Sequence, residues 1–157
     1  MKHVPYSVLF GAFCLFGAPQ AQAQHGDHAM VAPSELKWTD VAAMPGAQIA
    51  VIQGPMNGAV PFIARIKFPA NTKVPAHSHG GIEHATVLSG TLNMGVGDKL
   101  DISKTRALGP GSVSIMQPGT NHFAWFNEET ILQLHGIGPW TVTYVDPAND
   151  PRKKLAQ

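Results

Sequence analysis

The sequence is almost free of cysteine. Its one cysteine, Cys14, lies in the first 23 residues, where an apolar run from Val4 to Ala18 precedes the small-residue sequence Ala21-Gln22-Ala23. This arrangement predicts a secretory signal peptide over residues 1–23 that is cleaved before Gln24. Because cleavage removes Cys14, we expect an exported chain, periplasmic or secreted, that has no disulfide and no thiol chemistry.

Charge is also scarce, and neither sign is in excess. Charged residues make up 13% of the chain, and the signal takes Lys2 from the 11 Lys plus Arg, which leaves 10 against 10 Asp plus Glu. This balance gives no support for a nucleic-acid partner. The apolar run of the signal is too short to span a bilayer, so we expect no membrane association after cleavage.

No convincing helical periodicity is present. The 157 residues are 44% hydrophobic, enough for one domain with a core, and they include 16 Gly and 13 Pro. Residues 61–68 alternate apolar side chains on one face with Ile63, Arg65 and Lys67 on the other. Turn signals recur about every 8 to 12 residues, which favours an all-β sandwich or closed barrel. The predicted strands are 36–39, 48–53, 61–68, 74–79, 83–88, 91–96, 112–116, 122–126, 130–135 and 141–145, with 98–106 as a solvent-facing hairpin or loop.

One stretch combines histidine, glycine and glutamate. His77 and His79 are two positions apart, so a strand places both on one face, with Cα atoms roughly 6.5 to 7 Å apart. Gly80-Gly81 can supply the positive φ angles of a sharp turn, which lets Glu83 return beside them on the next strand.

A second stretch, Gln117 to Phe126, places His122 shortly after a Pro-Gly turn. Together the two stretches offer three imidazoles and one carboxylate. That set suits one divalent transition metal, which we expect to be Mn, Fe, Ni, Co or Zn.

The first stretch resembles motif 1 of the cupin family. That motif reads Gly, five residues, His-x-His, three or four residues, Glu, six residues, Gly. The chain matches it at His77, His79, Glu83 and Gly90, and has Asn71 where the first Gly is expected.

The second stretch is similar to cupin motif 2. That motif reads Gly, five residues, Pro-x-Gly, two residues, His, three residues, Asn. The chain matches at Gly111, Gly119 and His122, while Gln117 replaces the Pro and Phe126 replaces the Asn. All four metal-ligand positions of the family are therefore present.

The resemblance implies an RmlC-like cupin over residues 35–147, a single β-barrel of the double-stranded β-helix or jelly-roll type. Residues 24–34 would then be a flexible leader and residues 148–157 a C-terminal tail. It also implies a homodimer and a metal ion at the four matched positions, which are His77, His79, Glu83 and His122. Cupins with this pattern include oxygenases, isomerases, lyases and decarboxylases, so the resemblance selects no single reaction.

Two classes of function remain open. Four protein ligands close a tetrahedral zinc site, but they leave two positions free on a six-coordinate ion. One carboxylate against a divalent cation leaves a net charge of about +1, which favours a small anionic ligand and Lewis-acid chemistry. We therefore interpret the chain as a small metal-dependent enzyme. The alternative is an exported metal- or ligand-binding or sensor protein without turnover, which a closed metal site would favour.

Four further residues are candidates for the substrate pocket. His135 is a candidate general acid or base if it faces the cavity, because its reference pKa is near 6.5; the alternative is a position on the outer face. Gln133 shares the face of His135, and Phe126 shares that of His122 and would make the wall apolar. Arg65 can pair with a substrate carboxylate, or can be a solvated charge on a strand.

Two other features have a functional and a plainer interpretation, and one histidine is excluded from the site. His25, Asp27 and His28 form either a weak metal-scavenging tail or a flexible leader without fixed geometry. Trp140 either caps the mouth of the barrel or packs as a structural residue. His84 has the opposite parity to Glu83 and is left out of the ligand set.

Overall fold

The computed structural model describes residues 28–153. The predicted signal peptide and the leader residues His25 and Asp27 lie outside the described residues, and His28 is exposed. A compact unit begins at Val31. Among residues 28–153 no helix has the length and hydropathy needed to cross a membrane.

The described chain is built from eleven strands and four short 3₁₀ turns, and no α-helix occurs between residues 28 and 153. The all-β prediction is confirmed. The strands are β1 Thr39–Asp40, β2 Gln48–Gln53, β3 Pro61–Phe68, β4 Lys73–Ser78, β5 Glu83–Ser89, β6 Leu92–Val96, β7 Arg106–Leu108, β8 Val113–Met116, β9 His122–Trp125, β10 Thr130–Ile137 and β11 Thr143–Tyr144. The 3₁₀ turns are Pro33–Glu35, Ile102–Lys104, Pro147–Asn149 and Pro151–Lys153.

The strands form two antiparallel sheets. The six-stranded sheet has the order β1-β2-β3-β10-β5-β8, and the five-stranded sheet has the order β11-β4-β9-β6-β7. Their apolar side chains meet in one core. Phe68 at the end of β3 stacks on Phe126, the residue after β9, with ring centroids 4.2 Å apart and planes 11° apart.

The alternation in β3 decides which of its faces is buried. Phe62, Ala64 and Ile66 are at most 1% exposed, while the residues between them are only partly buried. Burying a side chain of the size of Phe62 stabilises the fold by about 2 kcal/mol. β10 continues this pattern because it pairs with β3 along its whole length, from Thr130 opposite Phe68 to Ile137 opposite Pro61.

Several element boundaries differ from the predicted ones. β1 occupies residues 39–40 instead of 36–39, and the charged segment 98–106 contains a 3₁₀ turn before β7. β11 is shorter than predicted because Thr141 makes other contacts. Its carbonyl accepts a hydrogen bond from His79 Nδ1, and its hydroxyl accepts one from the backbone N–H of Gly80.

Part of the predicted C-terminal tail is bound to the barrel. Arg152 Nη2 donates to the carbonyl of Val142 at 2.9 Å, and the same guanidinium forms two hydrogen bonds with the Asp150 carboxylate, at 2.7 and 2.8 Å. Since Val142 follows Thr141, this contact anchors the segment that leads into β11. The boundary at residue 147 stays a prediction.

Candidate metal centre

Three histidines converge inside the barrel. His77 on β4 is the Cα partner of His122 at the start of β9, and His79 directly follows β4. The three rings lie 4.4 to 5.0 Å apart between centroids. Their ligand nitrogens lie within 4.8 Å of one another. At 2 to 4% exposure, all three side chains are buried.

A β-bulge aims His77 inward. Val74 pairs with Ala124 and His77 pairs with His122, so three steps along β4 oppose two steps along β9. Without this extra residue, side chains three positions apart on a strand would point to opposite faces. Both Val74 and His77 therefore line the interior.

Each imidazole is oriented by its second nitrogen. Nδ1 of His77 donates to the Pro75 carbonyl at 2.8 Å, Nδ1 of His79 to the Thr141 carbonyl at 2.7 Å, and Nδ1 of His122 to the Thr120 carbonyl at 2.9 Å. A carbonyl oxygen only accepts, so the proton of each neutral ring is on Nδ1. The lone pair of each Nε2 is then free for a ligand, as in metal sites whose histidines are held by backbone carbonyls.

Burial keeps the histidines neutral. It lowers the pKa of His77 to about 3, with a further contribution from His122, and it also lowers the pKa values of His79 and His122. Neutral imidazoles with free Nε2 lone pairs are the form that binds a transition metal. The donor set therefore fits a divalent metal ion held by His77, His79 and His122.

Glu83 lies beside this group. It begins β5, is 5% exposed, and its Oε2 is 3.6 Å from His79 Nε2. Burial raises the pKa of this carboxyl group, although a hydrogen bond from Trp140 Nε1 to the same oxygen acts in the opposite direction. The set of mutually close ligand atoms comprises the three histidines and does not include Glu83.

The turn between His79 and Glu83 differs from the prediction. Neither Gly80 nor Gly81 has a positive φ. Close approach favours glycine there instead, since a Cβ on Gly80 would lie 3.0 Å from Thr141 Oγ1, and one on Gly81 would lie 3.1 Å from the Ile137 carbonyl.

Trp140 is part of the site. Its ring stacks on His79, with centroids 5.5 Å and planes 21° apart, while its Nε1 donates to Glu83. Of the two interpretations that the sequence allowed for Trp140, packing as a purely structural residue is therefore incomplete. The available signal was weak: an aromatic residue directly after the Gly138-Pro139 break.

The cavity next to the three histidines has an apolar wall. The wall includes three methionines together with aromatic and aliphatic side chains from both sheets: Met44, Met94, Met116, Phe68, Phe126 and Leu132. Phe126 thus lies where the sequence predicted it. The space available to the centre of a water molecule is about 40 Å³, which is room for roughly three waters.

Comparison with known proteins supports the fold. No family model matches the sequence, and no curated protein matches it. Among solved structures, a polyketide cyclase, RemF from Streptomyces resistomycificus, matches with a TM-score of 0.66 and 16% identity over 83% of this chain and 94% of that one. An RmlC-like cupin from Shewanella frigidimarina matches with a TM-score of 0.56 and 15% identity over 71% and 91% of the two chains. KdgF from Halomonas sp. matches with a TM-score of 0.56 and 19% identity over 71% and 96%. The chain has the cupin fold.

The cupin motifs explain one unusual residue. Asn71 occupies the position of the first motif glycine and has φ 63°, the only positive φ outside glycine in residues 28–153. Asparagine enters this left-handed region more easily than other non-glycine residues. Asn71 therefore keeps the backbone conformation while departing from the motif.

The two cupin motifs also contact each other. The backbone N–H of Gly119 in motif 2 donates to the carbonyl of His79 in motif 1 at 2.9 Å. The turn before His122 closes through a hydrogen bond from Thr120 N to the Gln117 carbonyl, which glutamine supplies as well as proline would. Replacement of the motif proline at 117 thus leaves the ligand position intact.

His135, Gln133 and Arg65 do not line this cavity. They lie on the outer face of the six-stranded sheet, where Arg65 Nε donates to Gln133 Oε1 at 3.3 Å. The sequence placed all three in the pocket, and the structure corrects this. Along β10 the inward positions belong to Leu132 and Leu134, which are only 5% and 2% exposed, so Gln133 and His135 point outward.

On that outer face His135 is paired with another histidine. It lies opposite His84 in the β5–β10 ladder, and the two rings stack with centroids 4.8 Å apart and planes 6° apart. The parity that excluded His84 from the ligand set therefore excludes His135 as well. Catalysis by His135 at the metal centre would require it on the other side of the sheet.

Proposed function

We propose that this protein is a metal-dependent enzyme that acts on a small anionic molecule inside the barrel. The observation that carries the proposal is the convergence of three buried imidazoles, each with Nδ1 bound to a backbone carbonyl and Nε2 free. A divalent transition metal bound there would supply a Lewis-acid centre for the oxygen of a carboxylate or enolate. Oxygenation, isomerisation, elimination and decarboxylation are all compatible with such a centre.

The residues of the chain itself would select the ligand. Three neutral imidazoles and one nearby carboxylate, Glu83, leave a divalent site with a net charge of about +1, which favours an anionic group. The wall formed by Met44, Met94, Phe126 and their neighbours is apolar, so the rest of the molecule would be apolar too. This wall would also keep bulk water from the reacting atoms.

The cupin fold is compatible with catalysis. RemF, with a TM-score of 0.66 against this chain, is named a polyketide cyclase. At 16% identity the likeness supports the scaffold, and the reaction of the present chain depends on its own cavity.

Elemental analysis tests the metal centre. The mature protein would be purified without a His tag from its native compartment and measured by mass spectrometry beside the double variant His77→Ala, His122→Ala. We expect about one metal ion per chain in the native protein and none in the variant. The matched control is His84→Ala, His135→Ala, which removes two histidines from the outer face and should keep the ion. Equal metal content in both double variants would overturn the ligand assignment.

A second candidate is an exported metal- or ligand-binding or sensor protein without turnover. The observation in its favour is the size of the cavity, which at about 40 Å³ holds roughly three waters. A screen of small anionic compounds with metal-loaded protein, with and without oxygen, separates the two. Product formation that disappears in the double variant supports the enzyme, whereas calorimetric binding without product supports the binding protein.

Export and assembly are separate proposals that come from the sequence. We propose that the mature chain starts at Gln24 in the periplasm or the medium, and that it forms a homodimer. Cell fractionation with N-terminal sequencing tests the first. Light scattering of the purified protein tests the second, and a mass near that of one chain would contradict it.

A further inference from the structure

Glu83 is held by a partner outside the histidine cluster. Its Oε2 accepts a hydrogen bond from the indole Nε1 of Trp140, and the same oxygen lies 3.6 Å from His79 Nε2. The indole N–H is only a donor, so it holds this carboxylate through one of the lone pairs of Oε2. Glu83 is also not in the set of ligand atoms that lie within 4.8 Å of one another.

Trp140 is itself fixed in place. Its backbone N–H donates to the Met56 carbonyl at 2.7 Å, and the next residue, Thr141, accepts the Nδ1 proton of His79 at 2.7 Å. The indole ring packs flat on the His79 imidazole. The donor to Glu83 is therefore part of the same rigid assembly as the histidine beside it.

We propose that Trp140 is a positioning residue that holds Glu83 outside the coordination sphere, so that the protein supplies three ligands, all histidine. This inference rests on the metal centre proposed above and departs from the set of four ligands expected from the sequence. Its chemical consequence is an open site. Three protein ligands leave one position free even on tetrahedral zinc and three on a six-coordinate ion, where four would close the zinc site.

Cobalt substitution tests the inference, because the visible absorption of Co²⁺ depends on the number and type of its ligands. The purified protein would be stripped with a chelator and loaded with one equivalent of cobalt chloride. Four proteins are compared: the native chain, Glu83→Gln, Trp140→Phe, and the double variant Trp140→Phe, Glu83→Gln. Phenylalanine keeps an aromatic ring on His79 but removes the N–H, and glutamine keeps an acceptor for Trp140 but removes the carboxylate.

We expect the native protein and Glu83→Gln to have the same cobalt spectrum, since Glu83 is not a ligand. Trp140→Phe releases the carboxylate toward the metal, so its absorption bands should shift. The double variant should return to the native spectrum. A merely structural role of Trp140 would not produce this reversal, because the second substitution restores no packing.

Two results overturn the inference and leave the metal centre standing. One is a spectral change in Glu83→Gln alone, which would make Glu83 a ligand in the native protein and is readable even if the Trp140 variants do not fold. The other is a folded Trp140→Phe protein with one bound Co²⁺ and the native spectrum. Failure of the native protein to bind Co²⁺ at all overturns the metal centre and the inference together.

Discussion

His77 and His122 lie directly opposite each other on β4 and β9, with their ring centroids 4.4 Å apart. The same ladder that joins the two strands therefore sets the distance between two ligands. His79, two residues after His77, binds the segment that follows β10 through the Thr141 carbonyl. The site is fixed by backbone contacts of three separate parts of the barrel, which limits the rearrangement needed to bind an ion.

Metal should stabilise the native fold and not a variant that lacks a ligand. At a free metal concentration one hundred times the dissociation constant, binding to the folded state alone raises the free energy of unfolding by about 2.7 kcal/mol. We expect such a rise for the native protein in chemical denaturation with and without added Co²⁺. His77→Ala should show little or none. His84→Ala is the control and should respond like the native protein; an equal rise in His77→Ala would contradict the site.

Gly90 should not tolerate a side chain. This residue lies in the turn between β5 and β6 and has φ 74°. A Cβ there would overlap Thr130 and the Glu129 carbonyl. Gly90→Ala should lower the free energy of unfolding by about 3 kcal/mol or more, because the positive φ and the overlap both oppose it.

Gly109→Ala provides the comparison for Gly90. No atom lies within 4 Å of a Cβ built at that position, and Gly109 is not among the positive-φ residues. Its free energy of unfolding should stay within about 0.5 kcal/mol of the native value. Similar losses for the two variants would show that the turn at Gly90 is not as tightly packed as described.

Asn71 should be replaceable by glycine and not by alanine. Its φ of 63° costs a residue with a Cβ roughly 1 to 2 kcal/mol, less for asparagine and nothing for glycine. We expect Asn71→Gly to stay within about 0.5 kcal/mol of the native stability and Asn71→Ala to fall roughly 1 kcal/mol below it. Denaturant titration gives both values. Equal stability of the alanine and glycine variants would remove the argument that Asn71 preserves a left-handed conformation.

Much of the fold follows from alternation along single strands. β2 and β3 have the predicted limits because their apolar positions repeat every second residue and turn residues bound them. The same period placed His77 and His79 together, and Phe126 with His122. These properties are local, so the sequence is sufficient to predict them.

Other features depend on contacts between distant segments. The outward position of His135 follows once Leu132 and Leu134 are assigned to the core, but the period alone allows either face to be inside. Trp140 meets Glu83 across 57 positions of sequence, and no spacing rule connects them. The bulge at Val74 and His77 likewise appears only when β4 is aligned with β9.

The hydrogen bond between His79 and Thr141 joins residues 62 positions apart. A chain that is still emerging from the ribosome or crossing a membrane has His79 long before it has Thr141, Trp140 or the Arg152 contact that anchors them. Such a chain has its ligands but not the partners that orient them. An ion at the proposed centre would therefore be acquired by the finished chain, in the compartment where folding is completed.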